Sequence, residues 1–235
     1  MTWRGVLGEN KSVSSDDQDY ELDALRSQID LTGLPPLTQA LTERVIGSTA
    51  ELSYANDLVC SEPWLESGVA ALAAGAPVVA DGPVVAAGIG SEVICKAGDS
   101  LTERLSRTAG IAKAAAAVRL AFGEAGPGAI WVVGEEPVAL YEILARDVQP
   151  TLVIGLPAGF VAAVHAKRAL RESGLPVVTN EGEKGGPVAA AVACGVLLAA
   201  AWPAGRPADA EAADAVRAVR RPGVIPGAAG RVRAP

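Results

Sequence analysis

The sequence contains a single histidine, His165, and three cysteines that lie far apart. One histidine excludes a metal centre built from several histidines and leaves little room for a Ser/His/Asp triad. Because no Cys-x-x-Cys pair is present, Cys60, Cys95 and Cys194 indicate reduced thiols rather than a disulfide framework or a zinc site. We therefore predict no metal site.

Aromatic residues and positive charge are also scarce. Aromatics make up 4% of the chain and hydrophobic residues 50%, so the core must consist mostly of Ala, Val and Leu. Small side chains let helices pack closely on a sheet, which favours an α/β layer architecture. The net charge of −7 argues against a surface for nucleic acid.

No apolar run reaches the roughly 20 residues that a membrane-spanning helix needs. The longest run, Pro187–Trp202, contains Gly195 and predicts a buried helix. The first thirty residues are polar and acidic, without the pattern of a signal peptide. We expect a cytoplasmic protein that does not bind a membrane.

A Walker A motif and a GxGxxG motif are both absent, so a nucleotide site would lack its usual fingerprint. The central segment is Thr151–Lys167, in which a short apolar run is followed by a Gly/Pro turn and a helical pattern. This order is typical of a buried parallel strand and the helix that follows it. In such sheets, ligands bind outside the carboxyl ends of the strands.

The strand, glycine-rich loop and helix recur along the chain, which predicts an α/β fold. We expect a single domain at 21–202 with a mostly parallel sheet that is flanked by helices on both faces. A flexible arm is predicted at 1–20, and a mobile Pro/Ala/Arg-rich tail at 203–235. Within the domain, Thr38 is predicted to cap a helix, and Leu101–Glu124 to form one long helix.

Four loops fall at the ends of predicted strands and form the candidate site. They are Asp81-Gly82-Pro83, Gly134-Glu135-Glu136-Pro137, Gly155–Gly159 and Gly182–Gly186. Glycines there allow a ligand to approach the backbone, and the helix starts that follow offer N–H groups to anions. Alternatively, glycine and proline simply terminate the strands.

Few titratable side chains accompany these loops. Asp81 follows an apolar strand and is a candidate site carboxylate, while Lys113 and Lys184 could pair with acidic groups of a ligand. Both lysines could equally be solvated, and His165 could lie on the surface of its helix.

The chain resembles the precorrin-8X methylmutase (precorrin isomerase) family over Leu22 to Trp202. The most specific pieces are Arg44-Val45-Ile46-Gly47-Ser48-Thr49-Ala50, Gly75-Ala76-Pro77-Val78-Val79-Ala80-Asp81, Gly155-Leu156-Pro157-Ala158-Gly159-Phe160-Val161 with Lys167, and Lys184-Gly185-Gly186.

The resemblance implies an α/β homodimer that binds a tetrapyrrole polycarboxylate. It implies an isomerase of cobalamin biosynthesis that moves a methyl group from C11 to C12, giving hydrogenobyrinic acid or its cobalt analogue without a cofactor. From the loops and the resemblance together, we predict the substrate-binding residues Ser48, Thr49, Asp81, Lys113, Gly134, Pro137, Gly155, Pro157, Gly159, Lys184, Gly185 and Gly186.

The family motif has a histidine, its proposed proton donor, where this chain has Gly47. Loss of a general acid costs roughly 10²–10⁴ in rate. Three alternatives follow: an isomerase, in which His165 could replace the missing acid; a non-catalytic corrinoid-binding paralogue that serves as carrier or regulatory partner; or an unrelated binder of phosphate ligands. The catalytic residue stays unassigned.

Overall fold

The computed structural model describes residues 22–90 and 92–203, and the account below concerns that part of the chain. The predicted arm at 1–20 lies outside the described residues, as does the predicted tail at 203–235 except for its first residue.

A six-stranded sheet forms the centre of the fold, with the strand order β1-β6-β5-β4-β2-β3. Its strands are β1 (Leu58–Val59), β2 (Val78–Ala80), β3 (Val93–Cys95), β4 (Ile130–Val133), β5 (Leu152–Gly155) and β6 (Val177–Asn180). All neighbouring pairs are parallel except β1 and β6, which are antiparallel. The predicted fold class is confirmed, although β1 was not predicted.

Helices cover both faces of this sheet. They are α1 (Pro36–Thr49), α2 (Tyr54–Asp57), α3 (Glu62–Ala73), α4 (Pro83–Ile89), α5 (Ser100–Ala109), α6 (Lys113–Ala125), α7 (Pro137–Ala145), α8 (Ala162–Glu172) and α9 (Pro187–Ala201). Residues 22–26 form a helical turn ahead of α1.

Strands β2, β4, β5 and β6 are buried on both faces, which explains their continuous apolar sequences. Trp131 and Val153 pack in one cluster with residues of α6, α7 and α8. Ile130 and Leu152 face the other side, where Gly68 of α3 brings the helix backbone close to them. The core is therefore two layers of mostly small side chains, one on each face of the sheet.

The prediction of one long helix over Leu101–Glu124 was wrong. Gly110 adopts a left-handed conformation (φ 63°) and ends α5, and α6 begins three residues later. Glycine takes this conformation without strain, so the chain turns there. The Ser106 hydroxyl donates to the Ile111 carbonyl at 2.7 Å across the turn.

The predicted cap of α1 was also wrong. The helix begins at Pro36, so Thr38 lies inside its first turn. The Glu62 carboxylate, from the start of α3, accepts hydrogen bonds from the backbone N–H groups of Leu37 (2.8 Å) and Thr38 (2.9 Å). A carboxylate supplied by another helix thus satisfies the free donors that a local cap would otherwise bond.

Helix α9 carries the longest apolar run of the chain. Seven of its residues are buried against the domain, in agreement with the prediction of a buried helix. Among the described residues, no helix combines the length and apolar character that crossing a bilayer would demand.

Candidate functional site

The carboxyl ends of β2, β4, β5 and β6 meet at one edge of the sheet, because these four strands are parallel neighbours. The four predicted loops therefore lie along one rim. The chain runs from β2 outward to β3 and then returns across β2 to β4. This reversal makes the β2/β4 boundary the switch point at which doubly wound sheets bind ligands.

A cleft of about 460 Å³ opens at this boundary. The exits of β2, β3 and β4 line it together with the start of α6, and Asp81, Lys113, Glu135 and Glu136 supply its charged groups. Asp81 and Lys113, which the sequence analysis singled out, therefore share one site.

The Asp81 carboxylate, at the end of β2, forms hydrogen bonds with the backbone of the loop after β4. It accepts hydrogen bonds from the backbone N–H groups of Gly134 (3.1 Å), Glu135 (2.9 Å) and Glu136 (2.7 Å). Burial raises the pKa of Asp81 above its ordinary value, and the three backbone hydrogen bonds oppose that rise. This geometry gives Asp81 a structural role in the floor of the cleft.

Glu135 caps the helix that follows β2. Its Oε1 accepts hydrogen bonds from the N–H groups of Val84 (2.8 Å) and Val85 (3.0 Å), at the start of α4. A Cβ atom on Gly82 would lie 2.3 Å from this carboxylate. The positive end of α4 is thus already neutralised within the chain, and sequence reasoning did not find this contact.

Lys113 is the first residue of α6 and borders the cleft. Its side chain is 52% exposed, and its Nζ lies 3.4 Å from the Glu103 Oε1. Pro137 begins α7 on the other side of the same cleft, next to the lining residue Val138. An exposed ammonium group and two helix starts therefore face the space where a ligand would lie.

The loops after β5 and β6 bind each other through the backbone. Gly159 N–H donates to the Glu183 carbonyl at 2.9 Å, and Gly186 N–H donates to the Leu156 carbonyl at 2.6 Å. Gly185 (φ 148°) has no room for a side chain, since a Cβ atom would lie 2.2 Å from the Leu156 oxygen. The loops after β5 and β6 are thus paired through their backbones and form one part of the rim.

Lys184 belongs to an internal cluster at the β6 side of the rim. Its Nζ contacts the Ser53 hydroxyl and the Asp57 carboxylate, and it lies 5.2 Å from the centroid of the Tyr54 ring. Burial raises the pKa of Tyr54 to about 12. Because Asp57 already neutralises Lys184, this lysine is less available to a ligand than Lys113.

Gly134 and Gly155 serve packing within the domain. A Cβ atom on Gly134 would lie 2.8 Å from the Ala190 Cβ, and one on Gly155 would lie 2.5 Å from the Leu170 Cδ2. Both glycines follow buried strands, so the sequence signal for close packing is the same as that for close approach of a ligand. Pro157 is likewise buried in the loop after β5.

Gly47, Ser48 and Thr49 form the last turn of α1. Gly47 is exposed, and a Cβ atom there would meet nothing within 4 Å. The Ser48 and Thr49 hydroxyls both donate to the Val45 carbonyl, at 3.1 and 2.7 Å. The structure therefore has space for a larger residue at position 47.

His165 is exposed on α8, which packs on the sheet through Ala163, Ala166, Lys167 and Leu170. This placement agrees with the interpretation of His165 as a surface residue. His165 does not line the cleft at the β2/β4 boundary.

Exposed apolar side chains mark the rest of the rim. Phe160 is 87% exposed and Val161 66%, both on the loop after β5, and Val188 is 53% exposed at the start of α9. Large apolar residues that stand out from backbone-bonded loops are typical of a contact surface. The sequence analysis quoted Phe160 but did not place it in the site.

Lys167 was also quoted without a role, yet the structure buries it completely beneath the same rim. Its Nζ donates to the Asn180 Oδ1 at 2.9 Å and to the Lys184 carbonyl at 2.5 Å. Burial, with the nearby charges of Arg171 and Lys184, lowers the pKa of Lys167 to about 8. The sequence signal for this burial was the helical spacing of Lys167 from Ala163, Ala166 and Leu170, which places the lysine on the apolar face of its helix.

The fold is that of an α/β protein, and its candidate ligand site is the cleft at the carboxyl edge of a mostly parallel sheet. The family model for precorrin-8X methylmutase matches residues 19–200. The chain is 34% identical over 163 residues to cobalt-precorrin-8 methylmutase of Methanocaldococcus jannaschii, an alignment that covers 67% of this chain and 77% of the relative.

It is also 32% identical over 186 residues to precorrin-8X methylmutase of a Sinorhizobium species, which covers 74% of this chain and 88% of the relative. A solved structure of precorrin-8X methyl mutase from Thermus thermophilus superposes with a TM-score of 0.71 at 29% identity, covering 80% of this chain and 98% of that one. The chain belongs to the precorrin-8X methylmutase family.

Proposed function

We propose that this chain is a precorrin-8X methylmutase-type isomerase of cobalamin biosynthesis. It would move a methyl group from C11 to C12 of a tetrapyrrole and release hydrogenobyrinic acid or its cobalt analogue. The family match over nearly the whole described domain carries this proposal. Family members from archaea and bacteria bear the names of both the precorrin and the cobalt-precorrin enzyme.

The rim supports a flat ligand that carries several carboxylates. Lys113 presents an exposed ammonium group at the cleft, and Phe160 presents an apolar ring on the neighbouring loop. We propose that Lys113 pairs with a carboxylate of the tetrapyrrole and that Phe160 contacts the face of the macrocycle. Holding the ring in one pose supplies the positioning part of the catalysis.

The other predicted contacts act mainly through the backbone. We propose that Gly159, Gly185 and Gly186 shape the rim around the macrocycle, while Ser48 and Thr49 border it at the end of α1. Pro137 begins α7 beside the cleft, and Asp81, Gly134, Gly155, Pro157 and Lys184 support the loops from behind. Their contacts with one another and with the core favour this supporting role.

A second function is favoured by one observation, the glycine at position 47. Without a titratable group there, the chain could bind a corrinoid without converting it, as a carrier or regulatory partner. The third alternative, an unrelated phosphate binder, is excluded by the family membership.

We also propose a cytoplasmic homodimer. A mostly apolar groove of about 600 Å³ lies between α1, α4 and α9. Its apolar lining includes Leu37, Ala40, Val192 and Val196, and Arg44 is the one charged residue among the described residues that line it. A second copy of the chain would cover this face. An Ala199→Glu substitution at the groove should convert a dimer into a monomer in analytical ultracentrifugation, and an unchanged sedimentation coefficient would contradict the proposal.

A titration with hydrogenobyrinic acid, followed by visible absorbance, tests the ligand class. Saturable binding to the coloured product supports both the isomerase and the carrier, and the absence of binding would overturn both. Turnover of precorrin-8X separates the two, because only the isomerase converts the substrate.

A further inference from the structure

Lys167 is a lysine whose side chain is completely buried. Burying an ammonium group is costly, and an apolar residue of similar volume is often neutral or stabilising at such a position. The other buried residues of α8 are Ala163, Ala166 and Leu170, so the face of the helix is otherwise apolar. Packing alone therefore does not explain a lysine here.

The ammonium group bonds to oxygens of β6 and of the loop that follows it. Nζ donates to the Asn180 Oδ1 at 2.9 Å and to the Lys184 carbonyl at 2.5 Å. Asn180 is fully buried as well, and its Nδ2 donates to the carbonyls of Glu181 (2.8 Å) and Lys184 (3.1 Å). Lys167 and Asn180 thus clamp both ends of the loop at 181–184.

This loop in turn holds the loop after β5. The Glu183 carbonyl accepts from Gly159 N–H at 2.9 Å, and the Leu156 carbonyl accepts from Gly186 N–H at 2.6 Å. Phe160, the most exposed large apolar residue described, follows Gly159 directly. Two hydrogen bonds, joined by short stretches of backbone, therefore connect the buried ammonium group to the residue that precedes Phe160.

We propose that Lys167 is a positioning residue, which fixes the paired loops after β5 and β6 from inside the core and so sets the position of the rim that receives the tetrapyrrole. The identity of the ligand in this proposal rests on the proposed function. The effect of Lys167 on the two loops does not depend on that function. Charged groups around the ammonium are Arg171, Glu183 and Lys184.

The test compares the full-length wild type with Lys167→Met, which keeps most of the length of the side chain and removes its donors. Arg146→Met is the control, since it removes an exposed cation that pairs with Glu142 at the end of α7 away from the cleft. Two quantities are measured: amide hydrogen exchange by NMR and the affinity for hydrogenobyrinic acid.

In Lys167→Met, the amides of Gly159 and Gly186 should exchange at least about tenfold faster, while the amide of Leu170 in α8 keeps its protection. The affinity for the pigment should fall about tenfold or more, because binding must then also order the loosened loops. Arg146→Met should change neither quantity.

Unchanged exchange at Gly159 and Gly186 would overturn the proposal, even if the affinity fell. Faster exchange of all core amides in parallel would also overturn it, because Lys167 would then only stabilise the domain. If the wild type does not bind the pigment, the proposed function fails, and the exchange at the two glycines still decides whether Lys167 holds the loops.

Lys167→Gln provides a second variant, since glutamine matches methionine in length and keeps N–H donors for the Lys184 carbonyl and the Asn180 Oδ1. If the hydrogen bonds of Lys167 hold the loops, the amides of Gly159 and Gly186 should exchange more slowly in Lys167→Gln than in Lys167→Met. Equal exchange in the two variants would overturn the proposal.

Discussion

The Oε1 atom of Glu135 accepts a hydrogen bond of 2.8 Å from the Val84 N–H, so the loop after β4 caps the helix that follows β2. The two residues are 51 positions apart in the sequence, and they meet because β2 and β4 are adjacent. This cap joins the two sides of the switch point and stabilises the wall of the cleft.

Removal of the cap should destabilise the protein measurably. Glu135→Ala leaves the Val84 and Val85 N–H groups without their acceptor, at a cost of about 0.5–2 kcal/mol in the free energy of unfolding. Glu135→Gln keeps an acceptor oxygen and should lose less. Urea unfolding measures both, and equal losses in the two variants would contradict the capping role.

Gly82 should be coupled to Glu135. A Cβ atom at position 82 displaces the Glu135 carboxylate, so Gly82→Ala should cost roughly as much as Glu135→Ala. In the Glu135→Ala background, the same substitution meets no carboxylate and should cost little. A double-mutant cycle from urea unfolding tests this, and additive costs would show that Gly82 acts through something else.

Position 47 offers a test of catalysis. Gly47→His places an imidazole at the position that the family resemblance assigns to the proton donor, and the open space around Gly47 accommodates it. If the chain is an isomerase, turnover should rise roughly 10²–10⁴-fold. Gly47→Gln is the matched control, as it adds a polar side chain without an acid near neutral pH, and it should leave turnover low. Equal turnover in the two variants would show that an imidazole at position 47 does not supply the acid.

The loop after β6 depends on a glycine at position 185. Gly185→Ala forces a Cβ atom against the Leu156 oxygen and should separate the two loops, whereas Gly174→Ala, also at positive φ, meets nothing within 4 Å. The second variant should cost about 1 kcal/mol from backbone strain alone, and the first clearly more. Thermal unfolding compares them, and similar losses would show that the close contact is unimportant.

The pH dependence of stability should report Lys167. Its folded pKa of about 8 lies below the ordinary lysine value of 10.5, so the folded state binds fewer protons between these values. The free energy of unfolding should therefore rise with pH in this window, by at most roughly 1.4 kcal/mol per pH unit.

Lys167→Met lacks this titration. The stability difference between the wild type and the variant should shift in favour of the wild type as the pH rises from about 8 to 10.5. Urea unfolding at several pH values measures it, and a constant difference would show that Lys167 titrates normally. Arg146→Met serves as the control, since arginine stays protonated throughout this window.

The sheet could be predicted from the sequence because its buried strands read as short apolar runs that end in glycine or proline. Ile130–Val133 and Leu152–Gly155 are clear examples. The break between α5 and α6 was missed because Gly110 sits among residues with helical spacing, and one glycine does not by itself end a helix.

The candidate site could be located on the rim but not resolved residue by residue. The Asp81 and Glu135 carboxylates bond to backbone groups of distant loops, and such partners depend on which strands become neighbours. Gly134 and Gly155 cannot be told from ligand-contacting glycines by sequence, since both uses require the absence of a side chain. The role of Lys167 needed the position of Asn180 as well.

The two outer strands of the sheet are very short: β1 has two residues and β3 has three. Few backbone N–H and C=O groups at the sheet edges are therefore free to pair with another chain. Short edge strands protect natural sheets from edge-to-edge aggregation in this way. The association of two copies should accordingly proceed through helix surfaces rather than by extending the sheet. Concentrated solutions of the protein should stay free of cross-β aggregates.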